Sequence, residues 1–367
     1  MDGNQNSTNV SSFVKRRLSF KQRLMNWIRL SGHPSVKIYR GFGNSDNITV
    51  MGQVFHLSPL PRKRYRRNVW TNSLALLRLF IVKPYNSAAI VLKWKDQTIE
   101  SITEKDGFFR LEFRPEKVVE PGWHEVSVSI KNYKNKYGEP ANGKGQVLIP
   151  YVTQYGCISD IDDTFLISHS TNLWKRLYVL FTENARSRKP FEGVVKHYQL
   201  LAYAGTTERM PNPFFYVSSS EWNLYDYIVE FANDNQMPPG VYLLNQLKRL
   251  HQLVSTGQNK HKTKFFRIVR ILEAFPKKRF ILLGDDSQED PAIYKSVVEH
   301  FSRQVVCVYL RQVAKRKKED VMKTIVQIEA MEVPCFYFVH SADAAMHSIN
   351  LGLAGKQLSE VSAISEY

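Results

Sequence analysis

The second half of the chain alternates short, uniformly apolar runs with longer segments in which apolar residues recur every three or four positions. Uniformly apolar runs are typical of strands buried on both faces, and the wider spacing is typical of helices with one buried face. The apolar runs cover residues 155–158, 214–217, 241–244, 280–283, 305–310 and 336–339. Together they predict a parallel sheet covered by helices on both sides.

The first part of the chain has a different pattern, in which apolar and polar residues alternate and Gly, Pro, Asn and Asp separate the runs. Such alternation predicts strands with one buried face and one solvated face. The strand-like runs cover residues 48–50, 73–82, 88–93, 108–113, 125–130 and 146–149. Their turn-rich spacing predicts a β-sandwich-like domain. It carries no catalytic constellation, so binding or docking is its expected role.

The chain has 367 residues, which exceeds the size at which a single core usually stops growing, so we expect two domains. The β-sandwich-like domain is expected at residues 35–150 and a parallel-sheet, Rossmann-like domain at residues 151–352. A basic amphipathic segment, 1–34, precedes them, and a tail, 353–367, follows them. The connection between the first two parallel strands is too long for a simple crossover, so residues 165–213 are expected to form a helical insertion at a pocket rim.

Two carboxylates one residue apart, Asp160 and Asp162, follow the first parallel strand, and the hydroxyl of Thr164 comes next. Side chains at positions i and i+2 of an extended chain point to the same side, so both carboxylates are expected to face one pocket. One carboxylate can then attack phosphorus while the other moves a proton. The alternative is an acidic turn after a strand, because Asp is frequent in turns.

Further polar residues follow later strands of the predicted sheet. Ser218 comes directly after the run 214–217, and Asp285 follows the run 280–283, with Asp290 shortly behind. Ligands of open parallel sheets bind at the carboxyl ends of the strands, so these side chains are expected to share one edge. Mg²⁺ prefers one or two carboxylates together with water and a substrate phosphate, which makes Asp285 a predicted metal ligand. For Ser218 a helix cap is the alternative role.

These motifs occur in a fixed order along the chain. They are Asp160-x-Asp162-x-Thr164, the strand-end Ser218, a lysine before the next helix at Lys264, and Gly284-Asp285 with the trailing Asp290. This order resembles the haloacid dehalogenase superfamily of phosphatases. More narrowly, residues 159–164, 216–225 and 275–294 resemble the phosphatidate phosphatase family first associated with fungal actin patches. Bacterial relatives share that catalytic domain, and the chain is identified as a bacterial-type member.

The resemblance implies a Mg²⁺-dependent phosphatase and assigns a role to each motif residue. Asp160 is the implied nucleophile and Asp162 the general acid/base; the implied phosphate-binding residues are Thr164, Ser218 and Lys264; and the implied metal ligands are Asp160, Asp162, Asp285 and Asp290. Two assignments stay open. Lys262 also precedes the helix and competes with Lys264, and Asp286 competes with Asp290 as the second acidic residue.

The chain is strongly basic, with a formal net charge of +17 and a pI near 9.6, which points to anionic partners. Basic residues concentrate at 15–23, 62–67 and 315–318. The first cluster is interleaved with apolar residues, which predicts a basic amphipathic helix on an anionic membrane surface. Binding to nucleic-acid phosphates and a merely solvated basic surface are the alternatives. Because no nucleic-acid motif accompanies the clusters, no specific nucleic acid is expected.

The expected location is the cytoplasm, with peripheral membrane association as an open possibility. The apolar stretch 74–82 is far shorter than the roughly 20 residues that cross a bilayer, and the N-terminus lacks the apolar core of a signal peptide. The sequence does not determine the oligomeric state.

The family resemblance, together with the charge, implies a Mg²⁺-dependent phosphatidate phosphatase that yields diacylglycerol and phosphate through an aspartyl-phosphate, with a phospholipid as its substrate. The motif residues are expected to contact only the phosphate of the substrate, so they do not define the rest of it. A phosphatase of soluble phosphoesters or phosphoproteins is therefore one alternative. A non-catalytic lipid- or nucleic-acid-binding module is the other.

Overall fold

The computed structural model describes residues 33–57, 83–134, 138, 140–153, 155–161, 193–245, 260–286, 289–313 and 318–353. The first eight strands are β1 Ser35–Gly43, β2 Ile48–Leu57, β3 Lys83–Pro84, β4 Ala89–Trp94, β5 Gln97–Ile102, β6 Phe108–Phe113, β7 Gly122–Ile130 and β8 Asn142–Ile149. The later strands are β9 Tyr155–Asp160, β10 Phe214–Glu221, β11 Gly240–Asn245, β12 Arg279–Asp285, β13 Val305–Arg311 and β14 Cys335–Phe338. The helices are α1 Val194–Ala202, α2 Tyr225–Asp234, α3 Lys260–Ala274, α4 Asp290–Phe301, α5 Lys318–Glu329 and α6 Ser341–Asn350.

Strands β1 to β8 form one mixed, curled sheet in the order β3-β2-β1-β8-β7-β4-β5, with β6 paired to β2. Its strand pairs are antiparallel except β1 and β8, which run parallel. The inward-facing residues form a separate apolar core that includes Val50, Ile90, Leu92, Val128 and Val147. The described strands thus make a single hydrogen-bonded sheet that curls around its own apolar core. Alternation along a strand predicts which face is buried, but it does not predict how the sheet edges pair.

The strand predictions for this part were uneven. The predicted run 73–82 lies outside the described residues. Strand β1 has no counterpart among the predicted runs, although its side chains are mostly buried. Strand β5 was missed as well, because it lies at the edge of the sheet and none of its side chains is fully buried. An edge strand with little apolar burial leaves only a weak pattern in the sequence.

Strands β9 to β14 form a purely parallel sheet in the order β11-β10-β9-β12-β13-β14. Each of the six strands overlaps one of the apolar runs, so the α/β prediction is confirmed. Helix α2 buries Tyr227, Ile228 and Phe231, as expected for an amphipathic helix against a sheet. No helix in the described part of the chain is long and apolar enough to cross a membrane.

Strand β1 packs against the parallel-sheet unit through aromatic side chains. The ring of Tyr39 stacks on Trp222 with the ring centroids 4.1 Å apart. Phe42 lies against Phe215 and Phe275, with centroid separations of 5.6 and 6.1 Å. These residues belong to the same continuous apolar core as the parallel sheet, so the two sheets are joined by buried contacts.

Hydrogen bonds reinforce this junction. The backbone N–H of Arg40 donates to the hydroxyl of Tyr225 at 3.0 Å, and the Arg40 guanidinium donates to the carbonyl of Gly240 at 3.1 Å. At the connection into β9, the Lys278 ammonium donates to the carbonyl of Thr153 at 2.7 Å. The first sheet therefore braces the strands that carry the candidate site.

Candidate active site

Three neighbouring strands of the parallel sheet bring polar side chains to the same edge. The central strand β9 ends at Asp160, and its register pairs Asp160 with Val217 of β10 and Ser159 with Leu283 of β12. Asp285 therefore ends β12 on one side of Asp160, and Ser218 follows Val217 in the second half of β10 on the other side. The side chains of all three are fully buried. This is the edge at which open parallel sheets bind ligands.

A lysine from the first turns of α3 lies within this group of carboxylates. The ammonium of Lys264 is 2.7 Å from Oδ1 of Asp160 and also pairs with Oδ1 of Asp290. Lys264 is only 2% exposed, and both carboxylates are fully buried. Burial raises the pKa of Asp290, and the nearby charge of Asp160 raises it further, while Lys264 opposes both effects. We call these three residues the buried charge cluster.

Glycine at position 284 allows Asp290 to approach the strand ends. A Cβ at Gly284 would lie 2.6 Å from Oδ2 of Asp290 and 2.8 Å from the ring of Tyr294, which no real side chain tolerates. Tyr294 in turn donates a hydrogen bond to the carbonyl of Leu283 at 2.7 Å, which fixes α4 on β12. Oδ2 of Asp290 has no hydrogen-bond partner among the described residues. A buried carboxylate oxygen of this kind is normally satisfied by a bound water or ion.

Asp286 has a different environment from Asp290. Its carboxylate accepts hydrogen bonds from the backbone N–H of Val313 and from the hydroxyl of Tyr337, both at 2.6 Å. It therefore ties the end of β12 to Val313, just beyond β13, and to Tyr337 within β14. Of the two alternatives left open by the sequence, the structure places Asp290 next to Asp160 and Lys264.

The backbone at Asp160 is held by a hydrogen-bonded pair that the sequence analysis did not identify. The hydroxyl of Ser159 donates its one hydrogen to the carbonyl of Asp160 at 2.9 Å. The hydroxyl of Tyr198 lies 2.8 Å from the Ser159 hydroxyl, so Tyr198 is the donor in that second hydrogen bond. Burial raises the pKa of Tyr198, so its hydroxyl stays protonated. Nothing in the sequence marks Tyr198, because its contact with Ser159 spans 39 residues and depends on the position of α1.

Arg311 is a second residue that the sequence analysis missed. It ends β13, and the register pairs it with Asp285 of β12. Burial lowers the pKa of Arg311 to about 10, and the carboxylate of Asp285 counteracts that shift. Arg311 comes directly after the apolar run 305–310, which is the same kind of position that identified Asp285. Arg311 could therefore have been predicted from the sequence.

Of the remaining predicted residues, the structure describes Ser218 but not the side chains of the others. The hydroxyl of Ser218 accepts a hydrogen bond from the backbone N–H of Ser220 at 2.9 Å, inside β10 rather than at a helix start. Asp162 and Thr164 lie outside the described residues, and the side chain of Lys262 is not described either. The structure thus brings together Asp160, Ser218, Lys264, Asp285 and Asp290, whose roles remain predictions.

The donor chemistry of this edge suits a small hard cation. Asp160 and Asp285 offer buried carboxylate oxygens from adjacent strand ends, and oxygen is the ligand type that Mg²⁺ selects. Within the described part of the chain, however, no three His, Cys, Asp or Glu side chains are arranged to hold a metal ion. Lys264 neutralises Asp160 and Asp290 where a cation would otherwise be needed. Asp162 is the predicted ligand that the described residues do not include.

The fold and the site together define an α/β domain with a carboxylate–lysine cluster at the carboxyl edge of its parallel sheet. Comparison with protein families gives this domain a class. Residues 155–312 match the family described as the catalytic domain of phosphatidate phosphatase APP1. The family resemblance predicted from the motifs is thereby confirmed for this segment, and the class it indicates is a phosphatase.

A particular relative carries the same name. The phosphatidate phosphatase APP1 of Saccharomyces cerevisiae is 30% identical over 166 residues, which is 44% of this chain and 27% of the yeast protein. The matched region thus spans about a quarter of the length of that relative.

Solved structures give only distant similarity. A carbohydrate acetylesterase from Xanthomonas citri is 11% identical with a TM-score of 0.35, covering 89% of this chain and 75% of that one. A protein of unknown function from Porphyromonas gingivalis W83 is 8% identical with a TM-score of 0.15, covering 36% and 59% of the two chains. Neither similarity is close enough to bear on function.

Proposed function

We propose that the chain is a Mg²⁺-dependent phosphatidate phosphatase whose parallel-sheet domain is of the haloacid dehalogenase type. The observation that carries the proposal is the buried charge cluster, in which Lys264 contacts the predicted nucleophile Asp160 at 2.7 Å at the end of the central strand. This cluster lies within the segment that matches the APP1 catalytic domain. The substrate class comes from that family, not from any contact in the site.

In the first step, a carboxylate oxygen of Asp160 attacks the phosphorus of the substrate. A P–O bond forms to Asp160 as the ester P–O bond breaks, and the departing alkoxide takes a proton from Asp162. The ammonium of Lys264 gives up its contact with a carboxylate oxygen and contacts a phosphate oxygen instead. This contact positions the phosphoryl group and offsets its charge. The products of this step are diacylglycerol and an aspartyl-phosphate.

In the second step, Asp162 takes a proton from water, and the resulting nucleophile attacks the phosphorus of the aspartyl-phosphate. The bond to Asp160 breaks, inorganic phosphate leaves and the free carboxylate is restored. Asp285 and Asp160 would hold Mg²⁺, which supplies positive charge to the phosphoryl oxygens when bound. Ser218 and Thr164 are proposed to donate hydrogen bonds to the same oxygens.

Attachment to anionic membranes is part of the proposal, because phosphatidate resides in a bilayer. The support is the net charge of +17 and the basic clusters of the sequence. Two of these clusters, at 15–23 and 62–67, lie outside the described residues, as does most of the third. Each Lys or Arg near an anionic surface contributes about 1 kcal/mol, so attachment should weaken as salt is raised.

The test is phosphate release from phosphatidate vesicles and from a panel of soluble phosphoesters, each with and without Mg²⁺. We expect vesicle turnover that requires Mg²⁺ and is lost in both Asp160→Asn and Asp162→Asn. Turnover of soluble phosphoesters alone would instead support a phosphatase of soluble substrates. Retention on anionic vesicles or oligonucleotides without turnover of any phosphoester would support a binding module.

A further inference from the structure

An apolar groove opens between α3 and α4, on the two helices that carry Lys264 and Asp290. Its cavity volume is about 510 Å³, which falls in the range of small-molecule sites. Apolar side chains make up most of its lining, namely Phe265, Phe266, Ala292 and Ile293; the polar residues are Glu289, Ser296 and His300. Phe266 is 60% exposed, and its ring packs edge-on against that of Phe265 with the centroids 5.7 Å apart.

The groove lies along α4 on the helix pair that carries Lys264 and Asp290. From α3, Phe265 lines it with its ring centroid 6.1 Å from that of His300. At the other end, Glu289, the residue before Asp290, lines it at the start of α4. From there it follows α4 to His300. At a rise of about 1.5 Å per residue, the stretch from Asp290 to His300 measures roughly 15 Å.

These dimensions suit a hydrocarbon chain. The hydrocarbon core of a bilayer is about 30 Å thick, so the acyl chains of one leaflet occupy about 15 Å each, the length of the groove. A protein partner fits less well, because a stable interface buries about 800 Å² per side through 20 to 30 residues. The seven lining residues form a slot rather than a face of that size.

We propose that this groove binds an acyl chain of the lipid substrate while the phosphate lies at Lys264. The inference rests on the proposed phosphatase function and adds to it a reason for the preference for a lipid phosphomonoester. Burial of each methylene along Phe265, Phe266 and Ile293 favours longer chains, and a chain-free phosphoester gains nothing from the groove.

The first test compares substrates in variants of the groove. Ala292 is exposed, so Ala292→Trp fills the groove without disturbing the core. Val326→Trp is the matched control, since Val326 is 61% exposed on α5 and does not line the groove. We expect Ala292→Trp to lower kcat/KM for monomeric dioctanoyl phosphatidate by about tenfold or more and to leave glycerol 3-phosphate within about twofold. Equal losses on both substrates, or no loss on either, would overturn the groove assignment.

The second test measures binding without turnover, so that the groove and the phosphatase proposal fail separately. Dioctanoyl phosphatidate is titrated into Asp160→Asn, alone and combined with Ala292→Trp or Val326→Trp, by calorimetry. We expect about tenfold weaker binding only in the combination with Ala292→Trp. Binding that is unchanged by Ala292→Trp, or absent from Asp160→Asn itself, contradicts the groove. Absence of turnover in the wild-type protein, with groove-dependent binding retained, contradicts the phosphatase proposal alone.

Discussion

Lys264 is held between two buried carboxylates, and this arrangement makes it both a structural and a functional residue. Its ammonium contacts Asp160 and Asp290, and all three side chains are almost completely removed from solvent. Buried charges of one sign are costly unless they are paired. Removing the lysine would leave two carboxylates facing each other in a poorly solvated space.

We predict that Lys264→Met lowers the free energy of unfolding at neutral pH by about 3 kcal/mol, because it leaves a buried carboxylate pair without its counter-ion. Urea titration measures this change. Lys37→Met is the matched control, since Lys37 pairs with Asp226 at 2.7 Å but both side chains are substantially exposed. That surface pair should contribute less than about 1 kcal/mol. Losses of similar size in the two variants would show that Lys264 has no special electrostatic role.

The absence of a side chain at Gly284 matters as much as the charges. We predict that Gly284→Ala lowers both stability and phosphatase activity, because its Cβ would come within 2.6 Å of the Asp290 carboxylate and push it out of the cluster. Chemical unfolding and phosphate release measure the two effects. An alanine variant with unchanged activity would show that the position of Asp290 is not critical.

At the scale of elements, the site depends on strand ends and on the helices that follow them. Asp160, Ser218 and Asp285 were predictable together, because apolar runs identify parallel strands and the edge where their carboxyl ends meet. The Tyr198–Ser159 contact was not predictable, and Asp290 was predicted only with Asp286 left open as its alternative. Both depend on how α1 and α4 are placed on the sheet, and amphipathic periodicity gives a helix its buried face but not its position.

Helix α1 is linked to α6 by a buried histidine that should make stability depend on pH. His197 Nε2 lies 2.9 Å from the hydroxyl of Ser348, and the ring packs edge-on against Tyr309. Burial lowers the pKa of His197 from 6.5 to about 3, with a smaller contribution from His347. The folded protein therefore holds this ring neutral at a pH where the unfolded chain protonates it.

We predict that stability is highest above pH 6.5 and declines as the pH falls towards 3, because the unfolded state binds the extra proton across this window. Between pH 7 and pH 5 the loss due to His197 should be roughly 2 kcal/mol. Urea midpoints across this range measure it, and His197→Gln should remove that part of the slope. An identical pH dependence in the variant would assign the slope to other groups.

At the scale of the whole molecule, the two sheets share a core through β1. The sequence predicted a β-rich unit and a parallel-sheet unit, but their junction was not predictable, because aromatic residues such as Tyr39 and Phe42 look like ordinary strand residues in the sequence. In the structure they pack on Trp222, Phe215 and Phe275. The first sheet thus supports the strand that carries Ser218.

We predict that Phe42→Ala destabilises the protein by about 3 kcal/mol, because it opens a cavity at this junction. Phe42 is fully buried. Val152→Ala serves as the control, since Val152 is 99% exposed on the connection between the two sheets and should change stability by less than about 0.5 kcal/mol. Thermal and urea unfolding measure both variants. A negligible loss in Phe42→Ala would show that the sheets are not energetically coupled at β1.

The most direct test of the account is whether the side chain of Asp160 itself receives the phosphoryl group. The protein is mixed with phosphatidate carrying a radiolabelled phosphate, quenched in acid within one turnover and digested, and the labelled peptide is identified by mass spectrometry. We expect an acid-stable, hydroxylamine-sensitive acyl phosphate on Asp160 that is absent in Asp160→Asn. Label on a different residue, or undiminished turnover in Asp160→Asn, would contradict it.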